Sequence, residues 1–321
     1  MDHGLKIAII GAGYAGMAAA VELAAAGRQV EVFEASRVLG GRARTAQIDG
    51  FSVDNGQHIL VGAYTETLRL MRAVGADPDV LLKRTPLRFE FPGEFLMSAP
   101  HLPAPLHTAF ALLLARGLDW REKWAAIRLM QGLKASKFRI EPDITVTGWL
   151  DRNKTPSRQR RLLWEPLCIA ALNTPAERAS AQVLANVLRD SLAGTREASD
   201  MLLPQVDLTA LFPEPAAEFV ARRGGDVHAG HRVASLRREA DGWRIDDAGP
   251  FTQGCSPWRP ITSATSCRNW RITWNTWTGN PSSPATSATR IGYACRNLCW
   301  AWTVGSRNGC STADNFANRM A

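Results

Sequence analysis

Three glycines near the N-terminus have the spacing of a phosphate-binding loop. Gly11, Gly13 and Gly16 form a G-x-G-x-x-G pattern directly after an apolar run at residues 5–10. In such a loop the first glycine permits a tight turn, the second lets the backbone approach a pyrophosphate, and the third lets helix and strand pack closely. The helix that follows directs unpaired N–H groups at the phosphates. The pattern therefore predicts a dinucleotide site, with Ala15 in its first helical turn.

The neighbouring sequence supplies the elements that this loop requires. Residues 5–10 predict a buried strand, residues 17–26 a helix of small side chains, and residues 29–33 a second strand. The second strand leads directly to Glu34, which stands 18 residues after the last glycine of the loop. An acid in this position accepts hydrogen bonds from the ribose hydroxyls of the nucleotide.

The segment after Glu34 distinguishes between two dinucleotides. It reads E-x5-G-G-R and ends with Gly41 and Arg42. This resembles the corresponding element of the amine-oxidase-like flavoproteins, in which the second glycine pair and the arginine cover the pyrophosphate. A classical NAD domain has no such element after its acid. The resemblance implies FAD as the cofactor, with Gly41 and Arg42 beside its pyrophosphate.

Longer strings narrow the resemblance to the hydroxysqualene dehydroxylases, also called squalene-associated FAD-dependent desaturases. The strings are DNGQHIL at 54–60, WEPLCIAALNTP at 164–175 and SDMLLPQVDL at 199–208. The similarity runs from about residue 5 to about residue 247. It implies an enzyme whose reduced flavin replaces the hydroxyl of hydroxysqualene with hydrogen, giving squalene for hopanoids. A carotenoid or phytoene desaturase, an amine-oxidase-like flavoenzyme, and an inactive fragment of such an enzyme stay open as alternatives.

The same resemblance suggests further site residues. Gly56 and Gln57 follow the G-G-R element, where the superfamily brings the chain past the flavin ring, so we expect them at the cofactor. Asp54 and His58 are the candidates for a catalytic role, although a single histidine is often a hydrogen-bonded structural residue. Val233 ends a stretch that resembles the second FAD element of the superfamily, and a plain β-turn and strand is the alternative for it.

The predicted fold class is α/β, with a Rossmann-like FAD-binding domain interrupted by a largely helical substrate domain. We divide the chain into an FAD-binding part at 1–90, a mainly helical substrate-binding part at 91–215, a return to the FAD domain at 216–250, and an aberrant tail at 251–321. Trp164 and Asn173 are candidates to line the substrate cavity, with a core position as the alternative for Trp164.

Charge and hydropathy narrow the choice of partners. Residues 1–250 carry 31 Lys and Arg against 29 Asp and Glu, so most of the net charge of +8 belongs to the tail. A nearly neutral body argues against reading this charge as a basic patch for nucleic acid or anionic lipid, and we expect no nucleic acid as a partner. Two stretches at 112–116 and 120–134 alternate apolar and basic residues, which suits a bilayer surface or, equally, core-facing helices with a solvated basic side. We expect a lipophilic C30 isoprenoid substrate and a cytoplasmic protein, peripheral on the inner face of the cytoplasmic membrane.

The number and spacing of the cysteines predict no metal site. Cys168 alone lies in the body, which suits a reducing compartment. The tail contains a C-x3-C pair at 295–299, but no second pair or histidine at zinc spacing accompanies it. No apolar run reaches the roughly 18 residues that a membrane span needs.

The tail has an unusual composition. Residues 251–321 contain seven Arg, one acid, one Leu and six Trp, and they show no helical or strand periodicity. Reading shifted codons from about Gly254 onward gives leucine-rich strings that resemble the missing part of the same family. We therefore interpret this segment as an out-of-frame translation and expect its roughly 70 residues to be disordered, because they can bury little apolar area.

Overall fold

The computed structural model describes residues 6–56 and 58–255. Its strands are short, and most of them have three to six residues. In chain order they are β1 (Lys6–Ile10), β2 (Gln29–Glu34), β3 (Thr45–Ile48), β4 (Phe51–Asp54), β5 (Leu60–Val61), β6 (Leu82–Thr85), β7 (Arg88–Phe91), β8 (Phe95–Ser98), β9 (Met201–Pro204), β10 (Asp226–Ala229), β11 (Leu236–Glu239), β12 (Gly242–Ile245), β13 (Ala248–Phe251) and β14 (Gln253–Cys255).

The helices are concentrated in the middle of the chain. In chain order they are α1 (Tyr14–Ala25), α2 (Thr65–Val74), α3 (Pro78–Leu81), α4 (Leu106–Leu113), α5 (Trp120–Ala135), α6 (Val146–Arg152), α7 (Ser157–Gln159), α8 (Glu165–Leu172), α9 (Ala181–Leu192), α10 (Arg196–Ser199), α11 (Leu208–Leu211) and α12 (Pro213–Ala221). A π-helical turn at Arg160–Trp164 joins α7 to α8. Within the described ranges, no helix is long and apolar enough to cross a bilayer.

The described chain divides into two compact units. The first contains residues 6–56, 58, 66–82 and 204–255, and the second contains 59–65 and 83–203. The second unit is thus an insertion in the first, and α4 to α10 lie within it. Residues 204–215, which the sequence assigned to the insertion, fold instead with the first unit, because α12 packs against α1. Residues 83–90, assigned to the FAD-binding part, belong to the insertion.

A four-stranded parallel sheet organises the first unit, with the strand order β10-β2-β1-β14. The middle of β1 is buried, as expected for a parallel strand covered on both faces. Helix α1 crosses from β1 to β2 and is buried along most of its length, which its alanines and Gly16 permit. It ends where Gly27 takes a left-handed φ of +72° and the amide of Arg28 donates to the carbonyl of Leu23 at 3.0 Å.

A small antiparallel sheet in the order β11-β12-β13 completes this unit. Phe33 of β2, Ile245 and Phe251 form one buried cluster with Ala8. Phe251 ends β13, and β14 begins two residues later and pairs in parallel with β1. The first five residues of the segment 251–321 therefore belong to this fold. The predicted aberrant and disordered tail otherwise lies outside the described residues.

The second unit has a helical core of its own. Leu150, Leu162, Leu184 and Leu188 are among its fully buried side chains. Two small sheets, β5-β9-β6 and β7-β8, also lie in this part of the chain. The prediction of a helical stretch at 112–116 is wrong, because α4 ends at residue 113. There the chain turns to pair Arg116 with Leu96, and a Cβ at Gly117 would lie 2.0 Å from the carbonyl oxygen of Glu94.

Candidate functional site

The first glycine loop lies at the carboxyl end of β1. Gly11 has a φ of +108°, and its amide donates to the carbonyl of Phe33 at 2.7 Å. Gly13 is extended (φ −71°, ψ 171°) and begins α1 as a capping residue without a side chain. The first turn of α1 also contains no acid. Amides in the first turn of a helix, here those of Ala15 and Gly16, have no partner within the helix, and such a turn is suited to an anion.

The second glycine pair packs directly on this loop. The amide of Gly40 donates to the carbonyl of Ala12 at 2.9 Å, and Gly13 and Gly40 form a parallel bridge. Gly41 has a φ of +65°, and a Cβ there would lie 3.1 Å from the Cα of Gly13. The two loops therefore meet backbone to backbone, and a side chain at Gly41 would be strained by its φ and crowded against Gly13.

Glu34 braces the first loop at the end of β2. Its carboxylate accepts the amide of Ala12 at 2.7 Å on one oxygen and the amide of Ser36 at 2.8 Å on the other. Each carboxylate oxygen has a second acceptor position, so these bonds leave capacity for ribose hydroxyls. Sequence reasoning assigned Glu34 only to the ribose, whereas the structure also gives it a role in shaping the glycine loop.

The residues after β4 fold back on the G-G-R element. The side-chain amide of Asn55 donates to the carbonyl of Arg42 at 3.1 Å, and the Asn55 amide donates to Arg44 at 2.9 Å. Gly56 has a φ of +92°, and its amide donates to the carbonyl of Asp54 at 2.7 Å. Gly56 and Arg42 are thus brought to one loop cluster, while Gln57 lies outside the described residues.

The two catalytic candidates occupy the end of β4 and the loop beyond it. Asp54 accepts the amide of Leu208 at 2.9 Å, which gives its carboxylate a structural partner. Burial, followed by the negative charges of Asp54 and Asp207, raises the pKa of Tyr14 far above its ordinary value. His58 is half-buried. A chemical role for Asp54 or His58 stays a prediction.

The segment that contains Thr209 holds both glycine loops by hydrogen bonds that the sequence did not reveal, and we call this segment the clamp. Thr209, which is 4% exposed, donates its hydroxyl to the carbonyl of Leu39 at 3.2 Å and accepts the amide of Thr45 at 2.9 Å. These two contacts fall on either side of the G-G-R element. The hydroxyl of Tyr14 donates to the carbonyl of Leu208 at 2.6 Å, which fixes the start of α1 to the same segment.

Asp207 orients this clamp. It caps α11 by accepting the amides of Thr209 and Ala210 at 3.0 and 2.9 Å, and it accepts the hydroxyl of Thr45 at 2.5 Å. Partial burial alone would raise the pKa of Asp207, but these hydrogen bonds outweigh it and hold the pKa below its ordinary value. An Asp before a short apolar run is a visible capping signal. Its contact with a segment more than 160 residues away is not.

Val233 lies beyond β10, on the other side of β2. In the pairing of these strands Ala229 stands opposite Glu34, and the amide of Gly230 donates to the carbonyl of Ser36 at 2.9 Å. Val233 packs against the cluster that contains Phe33. The segment is therefore held next to the acid at the end of β2, and a contact between Val233 and an adenine stays a prediction.

The substrate candidates lie in the second unit and have structural surroundings there. Trp164 is 3% exposed and packs edge to face on Trp149, with ring centroids 6.2 Å apart. Asn173 is exposed and ends α8 in the left-handed conformation, where asparagine is well tolerated. Lining of a substrate cavity by Trp164 or Asn173 stays a prediction.

Comparison with known proteins agrees with this geometry. The model of the flavin-containing amine oxidoreductases matches residues 14–252. Hydroxysqualene dehydroxylase of Sinorhizobium fredii is 28% identical over 242 residues, which are 74% of this chain and 55% of that protein. The Rhodopseudomonas palustris protein of the same name is 30% identical, over 73% of this chain and 54% of its own length. Zeta-carotene desaturase of Arabidopsis thaliana is 28% identical, over 74% and 46%. The chain spans about half the length of these curated relatives.

Solved structures share the fold. An oxidoreductase from Methanosarcina mazei aligns with a TM-score of 0.58 at 17% identity, over 78% of this chain and 58% of that one. Cyclohexylamine oxidase from Brevibacterium oxydans aligns with a TM-score of 0.50 at 20% identity, over 76% and 55%. At these identities the alignments support the α/β fold and nothing finer.

Proposed function

The chain belongs to the flavin-containing amine oxidoreductases, and we propose that it is an FAD-dependent oxidoreductase that acts on a lipophilic isoprenoid. The observation that carries this proposal is the packing of the two glycine loops around the start of α1. A Cβ at Gly41 would meet the backbone of Gly13. Glycines at both positions keep side chains out of the place where the two loops meet, which allows a ligand to approach the backbone closely. This fits the pyrophosphate of a dinucleotide.

Each part of the cradle has a separate role in binding FAD. Gly11 turns the chain, Gly13 leaves space for the pyrophosphate, and the amides of Ala15 and Gly16 donate to its oxygens. Glu34 accepts the ribose hydroxyls with the acceptor positions that Ala12 and Ser36 leave open. On the opposite side we assign the pyrophosphate to Gly41 and the positive charge of Arg42.

The remaining cofactor contacts come from two other segments. We assign Gly56 and Gln57 to the flavin side, because the loop after β4 returns to Arg42 through Asn55. We assign Val233 to the adenine side, because its segment is tied to the end of β2 through Ser36. These assignments place the dinucleotide across the carboxyl ends of β1 and β2, the usual position for such ligands in parallel sheets.

For the reaction we propose conversion of hydroxysqualene to squalene. When bound and reduced, FAD would supply the hydride for the new C–H bond, and the hydroxyl would leave as water after taking up one proton as the C–O bond breaks. The protein must supply that proton or polarise the hydroxyl. Asp54 and His58 are the candidates, because they lie next to the loop that we assign to the flavin side.

A carotene desaturase is the second candidate, because zeta-carotene desaturases match over the same part of the chain at similar identity. It removes hydrogen from a polyene instead of adding it to a carbocation-like centre. The two reactions therefore need opposite redox states of the flavin. An inactive fragment is the third candidate, since the chain spans about half the length of these relatives.

The experiment uses the full chain, loaded with FAD and freed of excess cofactor. One sample is reduced anaerobically with dithionite and given hydroxysqualene, and another is left oxidised with a quinone acceptor and zeta-carotene. The proposal expects squalene in the first sample and no reaction in the second. Desaturation in the second sample with no squalene in the first would establish the alternative, and flavin binding without either product would identify an inactive fragment.

A further inference from the structure

Helix α4 of the second unit exposes an apolar stripe. Leu106, Phe110 and Leu114 stand four residues apart along the helix and just past its end, and each is at least 40% exposed. The opposite side of α4 is anchored in the core of the unit through Ala111 and Leu112. Because the helix already has a buried face, the stripe is a second apolar face that nothing in the described part of this unit covers.

Helix α5 adds two tryptophans to this region. Trp120 and Trp124 are 59% and 45% exposed, and their rings meet edge to face with centroids 5.7 Å apart. Leu129 and Leu133 bury the other side of α5. The ammonium group of Lys123 donates to the carbonyl of Leu113 at 2.7 Å, which ties the start of α5 to the end of α4. We call Leu106, Phe110, Leu114, Trp120 and Trp124 the α4–α5 surface.

The segment that contains this surface is rich in positive charge. Residues 106–139 contain seven Lys and Arg but only two acids, Asp119 and Glu122. Both acids are engaged by the helix itself, because each accepts the amide of the other at 2.8 Å in a capping box, and Glu122 is buried. Arg121, by contrast, is exposed next to Trp120, and Arg128 is exposed about one turn beyond Trp124.

We propose that the α4–α5 surface binds the interface of an anionic phospholipid bilayer. Exposed leucine and phenylalanine suit the acyl chains, tryptophan suits the headgroup boundary, and arginine suits lipid phosphates. A second copy of this chain is a poorer occupant, since a symmetric interface would bring Arg121 and Arg128 of both copies together. The proposal extends the proposed function by naming where an enzyme of lipophilic substrates docks, and it does not depend on the reaction.

The test is flotation of the full chain with vesicles of phosphatidylcholine, alone or mixed with phosphatidylglycerol. The chain should float with the mixed vesicles. The double variant Trp120→Gln/Trp124→Gln should reduce this partitioning about tenfold at unchanged net charge, and Arg121→Gln/Arg128→Gln should reduce it in a salt-dependent way. Val80→Ser and Arg152→Gln/Arg158→Gln, at exposed positions elsewhere, are the matched controls and should float like the wild type.

Two results would overturn the proposal. If the tryptophan variant floats as well as the wild type, the binding would be assigned to positive charge in another part of the chain, such as the seven arginines of 251–321. If the wild type is a dimer that does not bind vesicles, and the tryptophan variant is a monomer, the surface would be assigned to a second copy. FAD titration of the same variants keeps this test separate from the proposed function, because the site assigned to FAD lies in the first unit and its affinity should not change. Circular dichroism checks that each variant is folded.

Discussion

Replacing Gly13 by alanine separates the fold of the glycine loop from its ligand. Gly13 has backbone angles that alanine adopts without strain, and a Cβ there would meet the backbone of Gly41 at 3.8 Å, an ordinary contact. We therefore expect the free energy of unfolding to change by less than about 1 kcal/mol. The same methyl group would occupy the space assigned to the pyrophosphate, so binding of FAD should weaken by about 1.5–3 kcal/mol, which is roughly ten- to a hundredfold.

Gly41→Ala, in contrast to Gly13→Ala, should lower the free energy of unfolding. Its φ of +65° costs a side chain roughly 1–2 kcal/mol, and the 3.1 Å contact with Gly13 adds to this. Gly132→Ala, in the last turn of α5 with open space at its Cβ, is the control and should be neutral or stabilising. Urea unfolding and FAD fluorescence titration of the three variants measure both quantities. Wild-type FAD affinity in Gly13→Ala would refute the assignment of this loop to the pyrophosphate.

Three further predictions follow from the clamp, the acid of β2 and the small antiparallel sheet. Thr209→Val leaves the buried carbonyl of Leu39 and the amide of Thr45 without their hydroxyl partner, so it should lower the free energy of unfolding by about 1–3 kcal/mol. Thr209→Ser should recover most of this loss in urea unfolding, and equal stability of all three chains would contradict the clamp. Glu34→Gln offers one acceptor oxygen where the carboxylate offers two, so titration should show FAD affinity at least about tenfold weaker, and an unchanged affinity would remove Glu34 from the site. Burial alone would raise the pKa of Asp246, but hydrogen bonds from His231, Ser235 and Ala234 outweigh it and lower the pKa. A folded pKa below the unfolded one means that Asp246 stabilises the fold above about pH 3.9 and loses this contribution as the pH falls through the folded value. The stability lost on Asp246→Asn should therefore shrink at acidic pH, and a loss independent of pH would contradict this.

The elements around the first glycine loop were predictable because their signals are local. The strands predicted at 5–10 and 29–33 are present as β1 and β2. The contact of the second glycine pair with a pyrophosphate stays a prediction. The helix predicted at 17–26 spans Tyr14–Ala25 instead, because Gly13 is its N-cap and Gly16 already lies within its first turn. Glycine spacing thus defines the site better than it defines the helix boundary.

The clamp and the limits of the insertion were not predictable, because they depend on contacts distant in the sequence. Thr209 contacts Leu39, 170 positions earlier, and no local pattern encodes that pairing. The same applies to residues 204–215, whose place in the first unit depends on the packing of α12 against α1. The shifted reading frame beyond residue 254 stays a prediction, which the nucleotide sequence around that codon would test.

The central claim is that the first unit binds the ADP half of FAD, and competition binding tests it most directly. The full chain is titrated with FAD, and the bound FAD is then challenged with ADP-ribose or with flavin mononucleotide. Because we assign the pyrophosphate to the glycine loops and a ribose to Glu34, we predict saturable binding of one FAD per chain and displacement by ADP-ribose but not by flavin mononucleotide. Absence of saturable FAD binding, or displacement by flavin mononucleotide alone, would contradict the account.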